Sequence, residues 1–442
     1  MQALIFAVEE INSRLDLLPN ITLGFLIYDT CAALRRTVEG ALWMLSGGGE
    51  IIPNYQCQEE TRLACIISYT GSTRSIIMTQ ILDLYRYPQL SYFSTSPSLS
   101  SMNQLSSISS NEVQYRGLAQ LVTYFGWTWI GLLATDDDYG QVGAQMVKKE
   151  IITSGACVAF VENILTGHPK RNAPNIVHVI KKSVVNVVIV LSSPFDFLPV
   201  VEELVSQNVT GKTWVASESW STSAFLLKER FQRVLGGTIG FAIHGGQMLG
   251  FGEYLYSLHP SNHLNDGFVN EFWEKVFSCT WNKKDDSNTT RKCTGRENLK
   301  TSLIKADLRI TFNVYTCVYA IAWALQSLLQ CKPGQGPFHH GACADISSLQ
   351  PWQVHHYVKN VNFHTSDGTH IFFNDKGNSP AIYDILNWQL EATQNLKQVL
   401  VGIYNSSAPP EHALMMDNAA IRWNQGDTQV HYHKKYFNDM LK

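Results

Sequence analysis

The strongest constraint on this chain is an alternation of short apolar runs with helical patterns, from Leu63 to Ser221. Val187–Leu191 is apolar without interruption, as a strand covered on both faces must be. Trp127–Ala134, Cys157–Ile164 and Thr213–Ala216 repeat the theme. Between and before them, Asn111–Phe125, Val142–Ile152, Pro174–Ser183 and Pro199–Gln207 carry helical patterns. Such alternation implies α/β architecture, with mostly parallel sheets bearing helices on both faces. Further strands are read at Ile21–Tyr28, Gln89–Phe93, Gly236–Ile243, His370–Phe373, Ile382–Leu390 and Val399–Tyr404. That is too many for one sheet of ordinary width, and 442 residues suffice for two cores, so two lobes are expected.

Open α/β sheets bind ligands outside the carboxyl ends of their strands. Four polar turns fall at such ends: Tyr69–Ser75, Tyr92–Ser96, Thr135–Gly140 and Ser217–Ser221. In Leu63–Tyr87 a short strand breaks into hydroxyl-rich residues and resumes as a helix, with the apolar Ile77, Ile81, Leu84 and Tyr85 on one face. Hydroxyls at a helix start can hold a carboxylate or phosphate; the competing reading is that Ser72 or Thr73 only caps its own helix.

The net charge of -3 and pI near 6.5 show no concentrated basic patch for nucleic acid. No apolar run is read as approaching the roughly 18 to 20 residues of a membrane span. Met1 leads directly into an amphipathic helix with Leu4, Ala7, Val8 and Ile11 on one face, so no signal peptide is read. Nine cysteines and four sequons, at Asn20, Asn208, Asn288 and Asn405, favour an extracellular setting. Together with the missing leader they suggest a fragment.

Asp136-Asp137-Asp138 lacks the alternate spacing and distant glutamate of a Ca²⁺ loop, and reads as a turn that caps the next helix, with Tyr139 at its lip. Cys331, His339, His340 and Cys343 match no zinc finger spacing; a Cys331–Cys343 bridge suits their Gly/Pro-rich loop better. His355-His356 and His431-x-His433 read as exposed polar positions. Nucleophile elbow, P-loop and H-E-x-x-H motifs are missing, which disfavours an enzyme. Glu218 is read as a turn carboxylate or a general base; facing an anion site it would suit a ligand ammonium, and the pair of charges is that of an α-amino acid.

Several segments carry a resemblance along nearly the whole chain: Gln2–Asn12, Tyr28–Cys31, Pro53–Cys57, Phe125–Gly131, Asp136–Gly140, Ala216–Trp220, Gly236–Phe241, Gly267–Trp273 and Asn387–Leu390. In these the chain resembles the extracellular Venus-flytrap domain of class C G-protein-coupled receptors, in the branch of calcium-sensing, vomeronasal type 2 and fish olfactory receptors. The resemblance implies a two-lobed, periplasmic-binding-protein-like fold. Lobe 1 would hold about residues 1–108, 246–380 and 418–430, and lobe 2 about 109–245 and 381–417, with cysteine-rich and seven-helix domains absent.

The family's amino-acid site carries over to Ser72 for the ligand carboxylate, with Thr70 and Thr95 as further hydroxyls, and to Tyr139 and Glu218 facing the amine. One departure is the stretch Leu105–Asn111, shorter than in relatives, where the family's acid becomes Asn111. By resemblance, Cys279–Cys293 and Cys331–Cys343 are in-domain bridges, and Cys57 links protomers. Cys31 and Cys157 pair outside this chain, while Cys65 and Cys317 are buried thiols. The implied function is a plasma-membrane receptor's extracellular ligand-binding region, sensing amino acids or related small molecules and peptides by interlobe closure. Its partners would be a like receptor in a homo- or heterodimer and a G protein; no cofactor is implied, and Ca²⁺ only by family. A soluble solute-binding or non-signalling decoy ectodomain is the alternative.

Overall fold

A computed structural model describes residues 1–31, 33–46, 63–68, 71–94, 104–107, 111–261, 267–281, 291–297, 299, 308–375, 377–391 and 395–424. In chain order the first strands are β1 (Ile66–Ser68), β2 (Gln89–Ser91), β3 (Gln104–Ser106), β4 (Trp129–Thr135) and β5 (Cys157–Ile164). Next come β6 (Val187–Leu191), β7 (Thr213–Ala216), β8 (Ile239–Ile243), β9 (Cys279–Thr280) and β10 (Arg291–Lys292). The last are β11 (Asn362–His364), β12 (His370–Phe372), β13 (Ile382–Leu390), β14 (Leu396–Asn405) and β15 (Leu414–Met416). Two compact units emerge, one of residues 1–28, 245–349 and 361–371, the other of 29–244, 350–360 and 372–442.

The larger unit contains an eight-stranded sheet in the order β15-β14-β13-β8-β7-β6-β4-β5. β8, β7, β6, β4 and β5 are parallel neighbours, and β13, β14 and β15 add antiparallel strands at one end. Successive strand residues point to opposite faces, which explains the unbroken apolar run of β6. Val187, Ile189 and Leu191 pack with Leu118, Leu121, Val147 and Phe241 on one face, under the helices Asn111–Tyr124 and Asp138–Thr153. Val188 and Val190 pack with Ile176, Phe197, Trp214 and Trp220 on the other, under Ala173–Lys182 and Pro194–Ser206. The parallel strands therefore end together at Thr135, Ile164, Leu191, Ala216 and Ile243, the edge where the turns leave the sheet. A smaller parallel sheet in the same unit runs β1-β2-β3.

Local chemistry moves several expected boundaries. The helix expected from Pro199 begins at Pro194, because Ser193 caps it and accepts from Asp196 N at 3.2 Å. On the helix Ser72–Tyr85 the buried residues are Ser72, Ser75, Met78, Thr79 and Leu82, not Leu84, which is 80% exposed. Polar residues can take that face because their hydroxyls are satisfied inside it: Ser75 meets Ser94 at 2.6 Å, and Thr79 donates to Gln89 Oε1 at 2.9 Å. Ile21–Tyr28, expected as a strand, carries no ladder; the Asn12 amide bonds both the N–H and the carbonyl of Leu23. His355 and His356, expected to be exposed, are half-buried on the helix Pro351–Lys359.

The smaller unit is organised around the helix Arg309–Leu329. By length and composition it could cross a membrane, although no apolar run was expected to approach that length, and 67% of its most apolar 18-residue window is buried within the fold. Two of its polar residues bond to the N-terminal segment: Tyr315 donates to Glu10 at 2.9 Å, and Gln326 Oε1 accepts from Leu18 N at 2.9 Å. Phe6 packs edge-on to Phe251 with centroids 5.3 Å apart. Two disulfides, Cys279–Cys293 and Cys331–Cys343, staple this unit, with Cα separations of 5.0 and 5.8 Å.

Candidate functional site

Every site element described here belongs to the larger unit. After β4 the chain turns through Asp136 and Asp137 into the helix Asp138–Thr153. Asp137 caps that helix, accepting from Gly140 N at 3.0 Å and from the Thr135 hydroxyl at 2.7 Å. Asp136 instead accepts from Thr166 N at 2.7 Å. The turn is so tight that a Cβ on Gly140 would lie 2.1 Å from the Thr135 carbonyl oxygen. This geometry fixes Tyr139 in the first turn.

The Tyr139 hydroxyl lies 2.9 Å from Ser217 Oγ and 3.3 Å from both Glu218 oxygens and from Ser219 Oγ. The Glu218 turn is anchored from behind. Ser219 donates to Ser192 O at 2.6 Å, Trp220 Nε1 donates to Val190 O at 3.0 Å, and Trp388 Nε1 donates to Ser221 O at 2.8 Å. Glu218 is only 4% exposed, and burial pushes its carboxyl up to about 7, against partial relief from the neighbouring Gln114 amide, backbone N–H groups and Tyr139. Burial also raises Tyr115, Tyr139 and Tyr383, and the Glu218 charge adds to each. The result is one buried acid ringed by neutral phenols and hydroxyls.

Ser72 opens the helix Ser72–Tyr85, but Gly71 is its N-cap and no side chain caps it. The cap reading of Ser72 and Thr73 is therefore not what is found: Ser72 lies buried in the first turn, and Thr73 donates to Asp138 Oδ2 at 3.4 Å. That bond brings the hydroxyl-bearing turn beside the helix that carries Tyr139. Asn111 opens the helix Asn111–Tyr124, fully buried. Thr70, Thr95, Cys57 and Asn288 lie outside the described residues, as do His431 and His433. Asn20 and Asn208 are exposed, and Asn405 is half-buried. Cys31 and Cys157 are exposed thiols, Cys317 is buried, and Cys65 is half-buried with Sγ 3.2 Å from Pro88 O. Among the described residues no three His, Cys, Asp or Glu side chains converge as a metal site.

Sequence reasoning did not single out Gln114, Tyr115 or Tyr383. The first two share a helix face with Asn111 at one-turn spacing, a usable signal. Tyr383 arrives from β13, remote in sequence, and nothing local announces it.

A buried acid beneath a tyrosine and serines lies at the carboxyl edge of a largely parallel sheet, where open α/β folds bind ligands. The family described as receptor family ligand binding region matches residues 1–391. The chain belongs to that family, as a class C G-protein-coupled-receptor ligand-binding domain of periplasmic-binding-protein-like fold. It is 35% identical to the extracellular calcium-sensing receptor of Homo sapiens, over 97% of this chain and 43% of that protein. The vomeronasal type-2 receptor 26 of Mus musculus is 27% identical over 97% of the chain and 51% of its own length. For metabotropic glutamate receptor 6 of Mus musculus the figures are 28%, 97% and 51%. The chain thus spans about half the length of these relatives, all of them receptors.

Proposed function

We propose that this chain is the extracellular ligand-binding region of a plasma-membrane chemosensory receptor, and that it recognises an amino acid or a related amine-bearing small molecule or peptide. The observation that carries the reading is Glu218, buried beneath the Tyr139 hydroxyl and flanked by Ser217 and Ser219. A buried carboxylate is stabilised most by a cation brought to it, and an ammonium supplies both charge and donors. Ser72, with Thr70 and Thr95, is the proposed seat of the ligand carboxylate, and Asn111 a further contact. Ligand uptake would close lobe 1 (about 1–108, 246–380 and 418–430) against lobe 2 (about 109–245 and 381–417). Closure would alter a homo- or heterodimer linked at Cys57, and a membrane region would pass the change to a G protein. Glycans at Asn20, Asn208, Asn288 and Asn405 complete the extracellular reading. Ca²⁺ enters only because several relatives are calcium-sensing receptors.

Calorimetry of the secreted domain with the twenty L-amino acids tests this. At least one should give saturable heat, and Glu218→Ala should weaken it on the order of 100-fold. No heat from any of them, or heat indifferent to Glu218→Ala, overturns the assignment.

A further inference from the structure

The hairpin of β11 and β12 falls, through Ile371, in the smaller unit, whereas Glu218 belongs to the larger. The short turn 365–369 joins its two strands, so they run antiparallel. Thr365 N donates to Thr369 O at 2.9 Å, which sets His364 directly opposite His370. Phe363 and Ile371, one residue further along each strand, are buried, and Phe363 stacks on Trp323 with centroids 6.1 Å apart. Alternation along the strands therefore turns Asn362, His364 and His370 to the opposite, exposed face. There the two imidazoles lie 4.6 Å apart, centroid to centroid, with their planes only 12° from parallel.

Three features suit this pair to a metal ion. The backbone that carries it is braced: the Thr365 hydroxyl donates to Asp367 Oδ1 at 2.6 Å, and Asp367 Oδ2 accepts from Gln247 N at 2.6 Å. Gly368, with φ of 86°, supplies the left-handed residue that closes the turn. The second feature is the bond of 2.7 Å between His370 Nε2 and Asn362 Oδ1. An amide oxygen only accepts, so Nε2 holds the proton and Nδ1 the lone pair, the form in which an imidazole binds a cation. Histidines on a metal are commonly oriented this way, by an acceptor at the far nitrogen. Third, two nitrogens each about 2.1 Å from one ion stand at most about 4.2 Å apart, a span that rings at this separation reach by small side-chain rotations.

Imidazole suits zinc, copper and nickel, whereas calcium and magnesium take oxygen ligands. We propose that His364 and His370 form a two-histidine site for a divalent late-transition-metal ion such as Zn²⁺. Among the described residues no third His, Cys, Asp or Glu joins them, so water completes the coordination and the site is an open one. The ion ties β11 to β12 across their exposed face. This assignment stands on the hairpin alone and does not depend on the amine-ligand reading.

Calorimetry of the untagged, metal-free secreted domain with zinc chloride tests it, with magnesium chloride as the control for charge alone. Zn²⁺ should bind saturably and Mg²⁺ should not. His364→Gln and His370→Gln should each weaken Zn²⁺ binding by roughly tenfold or more, and Asn362→Ala, which leaves both imidazoles in place, by a smaller factor. Zn²⁺ should raise the thermal midpoint of the unaltered domain and leave those of the two histidine variants nearly where they were. Because both side chains are exposed, neither replacement should lower the midpoint of the metal-free domain. Absence of Zn²⁺ binding, or binding that only one of the two histidine replacements weakens, or neither, overturns the proposal.

Discussion

Glu218 is where protons and stability meet. Its folded-state value of about 7 lies above the ordinary 4.5, chiefly through desolvation, so between those limits the native state holds more protons than the unfolded chain. Stability from this group is therefore complete below about 4.5 and is lost as pH rises through about 7, on the order of 3 kcal/mol in all. Urea denaturation of the ligand-free domain at pH 5 and pH 7.5 should show that decline, and Glu218→Gln should remove most of it. A decline unchanged in Glu218→Gln would assign the effect to another group. The pH response of ligand binding runs in the opposite sense: an ammonium needs the ionised carboxylate, so affinity should rise with pH up to about 7 and then level. Calorimetric titrations across that range check it.

At the scale of elements, the turns are set by side chains that satisfy backbone groups. Asp137 both caps its helix and holds Thr135, so Asp137→Ala should cost about 1 kcal/mol and loosen Tyr139, read as a lower denaturation midpoint with weaker ligand binding. Thr79→Val removes the hydroxyl that donates to Gln89 inside the helix–sheet contact, and about 1–3 kcal/mol of stability should go with it. These two cases also show what a sequence reader can see. The Asp137 turn was legible because consecutive aspartates before glycine have few other uses. The face of Ser72–Tyr85 was not, because hydrophobicity pointed to Leu84 while burial went to serines and threonines whose partners, Ser94 and Gln89, come from elsewhere in the chain. The β-α alternation was readable for the opposite reason: both faces of β6 are apolar, so no partner need be known. Similarly, Glu218 and Tyr139 stand out in the sequence, whereas Gln114 gains meaning only once its helix lies beside Glu218.

On the scale of the molecule, the disulfides Cys279–Cys293 and Cys331–Cys343 close short loops in the smaller unit. Replacing Cys331 and Cys343 by serine should cost about 2–4 kcal/mol and lower the melting temperature, while binding of an amino acid to the larger unit's Glu218 site persists. Differential scanning calorimetry alongside a binding titration separates the two effects. The eight-stranded sheet has a consequence of another kind. No described strand lies beyond β5, and Cys157, Ala159, Val161 and Asn163 face solvent along it. An unfinished sheet margin is a template onto which a foreign strand can crystallise, residue by residue. Concentrated preparations should therefore begin to associate there, and Val161→Lys should delay the onset of light scattering without altering the fold.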